Sequence, residues 1–228
     1  MTDSAPGTTR APTTHLPSAA LLDAWAPLAP VSGSEGIVVR VAPDVFGLWE
    51  AWEKECGSEC PIPYWAVAWP AAVVMARYLS ANCAIVSGLS VLDLGCGGGT
   101  AGIAALRCGA ASVPGVDIDE IALHVARQNA AACAVDVTYR CENLLVAQDV
   151  PSVDVVLAVD LFYERGTAVQ TLALLRRYVA ADTTVLIADG GRAFAPTEGV
   201  ELLHEETVPV NKPLEGTDAR TVRILRLA

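Results

Sequence analysis

Two runs, Val153-Asp154-Val155-Val156-Leu157-Ala158-Val159 and Val185-Leu186-Ile187-Ala188, are apolar on both faces of an extended chain. Strands of that kind lie inside a parallel sheet covered by helices on each side. The spacing around them predicts an alternation. Strand Val91–Leu94 leads to helix Thr100–Arg107, and strand Ser112–Val116 to helix Glu120–Ala132. Strand Val135–Tyr139 precedes Val153–Val159, and helix Thr167–Val179 leads to strand Thr183–Ala188. That order predicts a doubly wound α/β fold. Upstream, Ile37–Val41 reads as a short strand and Phe46–Lys54 as a helical turn. Pro61 and Pro63 then break the chain before a helix over Trp69–Leu79, with Pro70 suited to its first turn. Two late β-rich runs, Val200–Val208 and Thr221–Leu227, flank Pro213 and Gly216 and are expected to close the fold as an antiparallel hairpin. Residues 1–18 are rich in Thr, Pro, Ala and Ser without any period, the composition of a disordered tail.

The connection after Val91–Leu94 carries the chemistry. Asp93-Leu94-Gly95-Cys96-Gly97-Gly98-Gly99-Thr100 joins a strand to a helix through a glycine-dense turn, the first half of a nucleotide-binding βαβ unit. Glycine there lets the backbone approach a ligand with no Cβ in the way. A dinucleotide fingerprint starting at Gly95 needs glycine at position 100, where Thr100 stands. The pattern is Asp-x-Gly-x-Gly-x-Gly, the form used for S-adenosylmethionine (SAM). Asp117 ends the next strand run, where a carboxylate can accept hydrogen bonds from two ribose hydroxyls. Ligands of such sheets sit at the carboxyl ends of the strands. That places Asp93–Gly99, Asp117, Glu142–Asn143, Asp160–Glu164 and Asp189–Arg192 on one rim. Taken alone, Asn143 and Asp189 are equally well explained as turn formers.

Composition narrows the partners. The chain has 228 residues, the size of one α/β domain, and 53% of them are hydrophobic. No apolar run reaches the roughly 18 uncharged residues of a membrane span, and the first residues lack a signal-peptide layout. A cytoplasmic protein is expected. The net charge is −11, with Lys54 and Lys212 the only lysines, which disfavours nucleic acid. The acidity is explained first by solubility and second by attraction of a cationic small molecule or a basic protein patch. The seven cysteines are expected as free thiols, with Cys96, Cys108, Cys133 and Cys141 inside core elements. The gap between Cys56 and Cys60 suits neither a redox motif nor a zinc knuckle, so no metal is expected. His124 falls mid-helix and reads as a surface or packing residue.

Five segments in order now matter together: Pro63-Tyr64-Trp65-Ala66-Val67-Ala68-Trp69-Pro70, Asp93–Thr100, Val116-Asp117-Ile118-Asp119, Asp160-Leu161-Phe162-Tyr163-Glu164 and Asp189-Gly190-Gly191-Arg192. They resemble the class I (seven-β-strand) SAM methyltransferases of the lysine-methylating group, in particular the electron-transfer-flavoprotein β-subunit lysine methyltransferases. The resemblance covers roughly residues 60 to 195. It implies a seven-stranded sheet, SAM as cofactor, and a first segment lying over the cofactor. It also implies cofactor contacts at Trp69, Gly95, Gly97, Asp117 and Asp160, with Asp160 and Tyr163 facing the accepting nitrogen. Asp93, Ile118 and Asn143, on or beside the rim, complete the expected cofactor set. The domain expectation is then a tail (1–18), a segment covering cofactor and acceptor (19–85) and a SAM-binding core (86–228). Two departures stand out: Gly190 replaces a proline usual in the family, and the region before Pro61 matches poorly.

Methyl transfer from a sulfonium needs alignment above all, and positioning supplies about 7–11 kcal/mol of barrier reduction in such reactions. Asp160 can accept the hydrogen bond of an amine acceptor's proton, and Tyr163 can do the same. Phe162 is expected to pack inward. Trp65 and Trp69 are each suited either to a cation, sulfonium or ammonium, or to burial. Glu164 reads as a second carboxylate or as a neighbour of a helix start. A nicotinamide-dependent reductase is disfavoured by Thr100 and by the lack of a tyrosine followed four residues later by lysine. The expected function is SAM-dependent methyl transfer to an amine nitrogen, that of a protein lysine. The alternatives are a small-molecule methyltransferase of specialised metabolism and a repurposed subunit of the same fold with other chemistry.

Overall fold

The computed structural model describes residues 15–228. Most of the expected tail lies outside the described residues. In chain order the elements are α1 (Ala19–Trp25), β1 (Leu28–Pro30), β2 (Val38–Arg40), α2 (Val45–Cys56), α3 (Pro70–Ala81), β3 (Val91–Leu94), α4 (Thr100–Arg107), β4 (Pro114–Asp117) and α5 (Glu120–Ala132). There follow β5 (Thr138–Cys141), β6 (Val155–Val159), α6 (Arg165–Ala180), β7 (Thr184–Asp189), β8 (Val200–Pro209), α7 (Lys212–Glu215) and β9 (Ala219–Leu227). A short 3-10 turn, Tyr64–Ala66, precedes α3.

Seven strands form one sheet in the order β5-β4-β3-β6-β7-β9-β8, and β1 pairs with β2 separately. The pairs among β3 to β7 are parallel, whereas β9 runs antiparallel to both β7 and β8. This is the doubly wound α/β sheet with the expected antiparallel closure. The chain adds strands outward from β3 to β5 and then returns to β6 on the other side. The switch of direction opens a crevice between the carboxyl ends of β3 and β6.

Side-chain alternation explains why the central strands read as apolar throughout. Val91, Val155, Leu157, Leu186 and Ala188 point to one face, where α3, α4 and the end of α5 cover them. Leu92, Leu94, Val156, Ala158, Val185 and Ile187 point to the other, onto α6. A third core is built by α1 and α2 with Trp52, Trp65 and the start of α5. It fastens the N-terminal segment over the carboxyl ends of the strands. Ser18 caps α1, its hydroxyl accepting from Leu21 N–H and donating to Glu55 of α2.

Two expectations need correction. The strand expected at Val135–Tyr139 starts later, at Thr138. Val135 N–H still bonds to Ala130 at the end of α5, and Ala134 turns the chain with φ +53°. Cys141 is exposed on the edge strand rather than in the core, while Cys96, Cys108 and Cys133 are buried.

Candidate active site

The glycine turn leaves β3 at Leu94 and enters α4 at Thr100. Gly95, Gly97 and Gly99 all take positive φ, at +61°, +50° and +79°. Non-glycine residues pay for that conformation, which is why the turn is glycine-dense. The turn is tied on three sides. Cys96 N–H donates to Val116 O of β4 at 3.0 Å. Asp93, fully buried beneath, accepts from Gly102 N–H of α4 at 2.8 Å. Asn129 of α5 donates from Nδ2 to Gly98 O at 2.9 Å and accepts on Oδ1 from Arg40 N–H of β2 at 2.8 Å. Asn129 thus fastens the N-terminal segment to the turn. The sequence gives one signal for it, a lone amide among alanines on the inward face of α5.

A small cleft of about 70 Å³ lies against this turn. Its wall contains Trp69, Asp93, Gly95, Gly97 and Asp160 of the expected residues, together with Arg40, Trp65 and Asn129. Asp117, Ile118, Asn143 and Tyr163 are not part of that wall. Asp117 sits next to it: Oδ2 accepts from Gly97 N–H at 2.8 Å and Oδ1 from Asp119 N–H at 3.0 Å. Each oxygen keeps a further lone pair for a diol. Ile118 and Tyr163 are exposed on the rim. Asn143 is engaged locally, its Oδ1 accepting from Leu145 N–H at 3.0 Å as a turn former does.

The two tryptophans part company. Trp65 is buried and meets Trp52 edge to face at 5.8 Å, so it packs rather than facing a free cation. Trp69 lies 6.0 Å from Tyr64, and the Arg192 guanidinium stands 5.6 Å from its ring centroid. Phe162 is fully buried, as expected. Glu164 occupies the N-cap position of α6 but makes no side-chain capping bond. His124, half-buried on α5, pairs with Gln128.

Asp160 directly follows β6 in the left-handed region, φ +58°, with its N–H bonded to Ala188 O at 2.8 Å. Its carboxylate is held bidentately by Arg192, Nε to Oδ1 at 2.7 Å and Nη2 to Oδ2 at 2.5 Å. The loop after β7 presents that arginine: Asp189 Oδ1 accepts from Gly191 N–H and Arg192 N–H at 2.7 and 2.8 Å. Arg192 was visible in the sequence as a rim residue, but its pairing partner directly follows the neighbouring strand β6, 32 residues earlier, where no local pattern reports it.

Burial pushes Asp93 up to about 7, against the Gly102 hydrogen bond that favours its ionised form. Burial likewise raises Asp117. Burial and the nearby Glu164 and Asp117 carboxylates raise the Tyr163 phenol, so it stays protonated at neutral pH. An unfolded aspartate loses its proton near pH 4, whereas native Asp93 holds it to about pH 7, so native stability falls as pH rises across that window. Asp93→Asn keeps an oxygen for Gly102 N–H but has no proton to lose. Its ligand-free Tm is expected to fall less than the parent's between pH 5 and 8, one group changing the slope by up to ~1.4 kcal/mol per pH unit. Thermal melts across that range check it, and equal slopes would contradict the assignment.

Comparisons place this geometry among known proteins. Residues 78–161 match the family model of ribosomal protein L11 methyltransferase (PrmA). An electron transfer flavoprotein β subunit lysine methyltransferase of Xenopus laevis is 41% identical over 136 residues, 58% of this chain and 54% of that protein. The Homo sapiens protein of the same name is 37% identical over 144 residues, 57% of this chain and 50% of that one. The chain thus spans about half the length of the curated relatives it matches. Among solved structures, magnesium protoporphyrin IX methyltransferase (ChlM) from Synechocystis PCC 6803 with bound SAH superposes with a TM-score of 0.52. The identity is 17%, over 78% of this chain and 93% of that one. With its seven strands in this order and its glycine turn at the switch point, the chain has the Rossmann-like fold of class I SAM-dependent methyltransferases, and over more than half its length it resembles the electron transfer flavoprotein β subunit lysine methyltransferases.

Proposed function

We propose that the protein is a SAM-dependent methyltransferase that modifies an amine nitrogen, a protein lysine. The observation that carries this reading is the open side of the glycine turn: a Cβ built on Gly97 meets no protein atom within 4 Å. The backbone therefore offers a bare face to a ligand in the cleft, flanked by the Asp117 and Asp93 carboxylates. These residues fit SAM, which is cationic and carries a ribose diol. When bound, it supplies a methyl group already activated by its sulfonium. In this reading Gly95 and Gly97 admit the cofactor, Asp117 accepts from the ribose hydroxyls, and Trp69 covers the cleft. Asp160 orients the acceptor's amine, with the protonated Tyr163 on the rim beside it. Residues 19–85 then form the segment that covers cofactor and acceptor.

The relatives are named for a lysine in the electron transfer flavoprotein β subunit, which makes that subunit the first acceptor to test. The acidic chain suits a basic protein surface and repels nucleic acid. Among the described residues no helix is long and apolar enough to cross a membrane, and the cytoplasm is the proposed place of action. The deciding experiment treats the β subunit and a cell extract with isotopically labelled SAM and reads proteins and metabolites by mass spectrometry. Label on a protein lysine supports the proposal. Label confined to a small molecule shifts the acceptor to a metabolite, and no label anywhere removes the methyltransferase reading.

Asp117 gives a sharper check on the cofactor. Losing a charge-assisted hydrogen bond costs about 1.5–3 kcal/mol, so Asp117→Ala is expected to weaken SAM binding by at least about tenfold in calorimetry. An unchanged dissociation constant would leave Asp117 as a brace for Gly97 and Asp119 only.

A further inference from the structure

A cation-binding subsite needs a carboxylate and an aromatic face, and both stand at the mouth of the cleft in Asp160 and Trp69. The space between them is filled. The Arg192 guanidinium bonds both oxygens of Asp160 while its carbon stands 5.6 Å from the Trp69 centroid. A second carboxylate waits on the other side. Glu215, at the end of α7, reaches Arg192 Nη1 and Nη2 at only 3.4 and 3.5 Å. It is itself fixed by Arg220 Nε at 2.8 Å, and its side chain is only 4% exposed. Arg192 therefore has one tight partner and one loose partner, both preformed. It also follows Gly190-Gly191, where Gly191 has φ +81° and a Cβ would meet nothing within 4 Å. Asp189 Oδ1 fixes the backbone here by accepting from Gly191 N–H and Arg192 N–H. A hand-over therefore moves the arginine side chain, which only the ion pair and the ring hold on Asp160.

We propose that Asp160 and Trp69 are the binding subsite for the acceptor's ammonium group, that Arg192 fills this subsite at rest, and that the entering acceptor hands Arg192 over to Glu215. The inference deepens the methyltransferase reading and rests on it for the identity of the ligand. It explains how an enzyme with a small open cleft discriminates among amines. A free amine must displace a bidentate guanidinium with its charge alone. A lysine on a docked protein brings further binding energy, which drives the exchange and is realised only with the right partner. Charge is conserved through the exchange, since Asp160 trades one cation for another and Arg192 stays between carboxylates throughout.

The test uses the full chain and n-butylamine, which is protonated at pH 7.5, titrated by NMR with and without saturating S-adenosylhomocysteine. Removing the internal competitor raises the competent fraction, so Arg192→Gln should bind the amine about tenfold tighter than the parent. Glu215→Gln, which takes away the second partner, should bind it more weakly. Arg192→Lys, which keeps the charge but loses the bidentate fork, should fall between Arg192→Gln and the parent, and neutral 1-butanol should show no gain with any variant. If Arg192→Gln gains nothing, or if it and Glu215→Gln both lose amine binding, Arg192 is a structural brace and the inference falls. The amine titration without S-adenosylhomocysteine reads the subsite directly. A failure of S-adenosylhomocysteine to bind any variant or the parent counts separately, against the methyltransferase reading.

Discussion

Gly97→Val is expected to abolish SAM binding in a protein that still folds. The backbone at this position has φ +50°, and a Cβ placed there meets no protein atom within 4 Å. The fold therefore pays only for the left-handed conformation, roughly 1–2 kcal/mol for a residue with a side chain, or a Tm lowered by roughly 2–8 °C at this chain size. The ligand pays far more, because the valine methyls occupy the face the cofactor must approach. A rise of more than about a hundredfold in the dissociation constant is the expected outcome in calorimetry. Gly88→Val supplies the control. It has φ +75° and equally open surroundings, but it lies before the amino end of β3, away from the cleft. It should show the same loss in Tm and normal SAM binding. Parental affinity in Gly97→Val would move the cofactor site elsewhere.

What could be read in advance depended on whether the cause was local. The glycine turn, β3 and α4 follow from a short apolar run, a Gly cluster and an alanine-rich stretch within 17 residues, and they appear where expected. The two-sided apolar runs announced central strands, because residues on alternate faces meet separate helix layers. The edge strand β5 was misplaced because Val135 and Val137 carry β-branched side chains while its register is set by β4, Pro114 pairing with Thr138 and Asp117 with Cys141. The helix α1 was missed because its seven residues are too few to show a period, and it is held by α2 instead. Among site residues, Asp93 and the glycines were legible from their turn. Asn129 acts through Gly98 and Arg40, 31 and 89 residues away, so only its oddity among alanines hinted at a role. The Asp160–Arg192 pair spans 32 residues and two strands, and only the sheet order brings it together.

That pairing changes what Asp160→Asn should do. Asparagine tolerates the left-handed conformation at this position and can still accept one hydrogen bond, so the backbone of the β6 end is expected to hold. The N-cap of α6 is Glu164, so no helix cap is lost. Arg192 is not stranded either, since Glu215 stands 3.4 Å away to take it. The usual penalty for removing one partner of a buried pair, about 3–5 kcal/mol, should therefore be largely avoided, and the Tm should move by only a few degrees. SAM affinity should stay within a few-fold, because the glycine turn and Asp117 are untouched. Turnover is different. In the proposed reading the acceptor's amine loses the carboxylate for which it competes with Arg192 and which accepts its hydrogen bond, so the single-turnover methyl-transfer rate should drop on the order of 10²-fold or more. Melting temperature, SAM affinity and single-turnover rate on this one variant separate the roles. Low rate with intact binding and stability fits an acceptor-orienting carboxylate. A destabilised protein with full activity would mean that Asp160 serves only to anchor Arg192, and the acceptor would have to be oriented by another group on the rim.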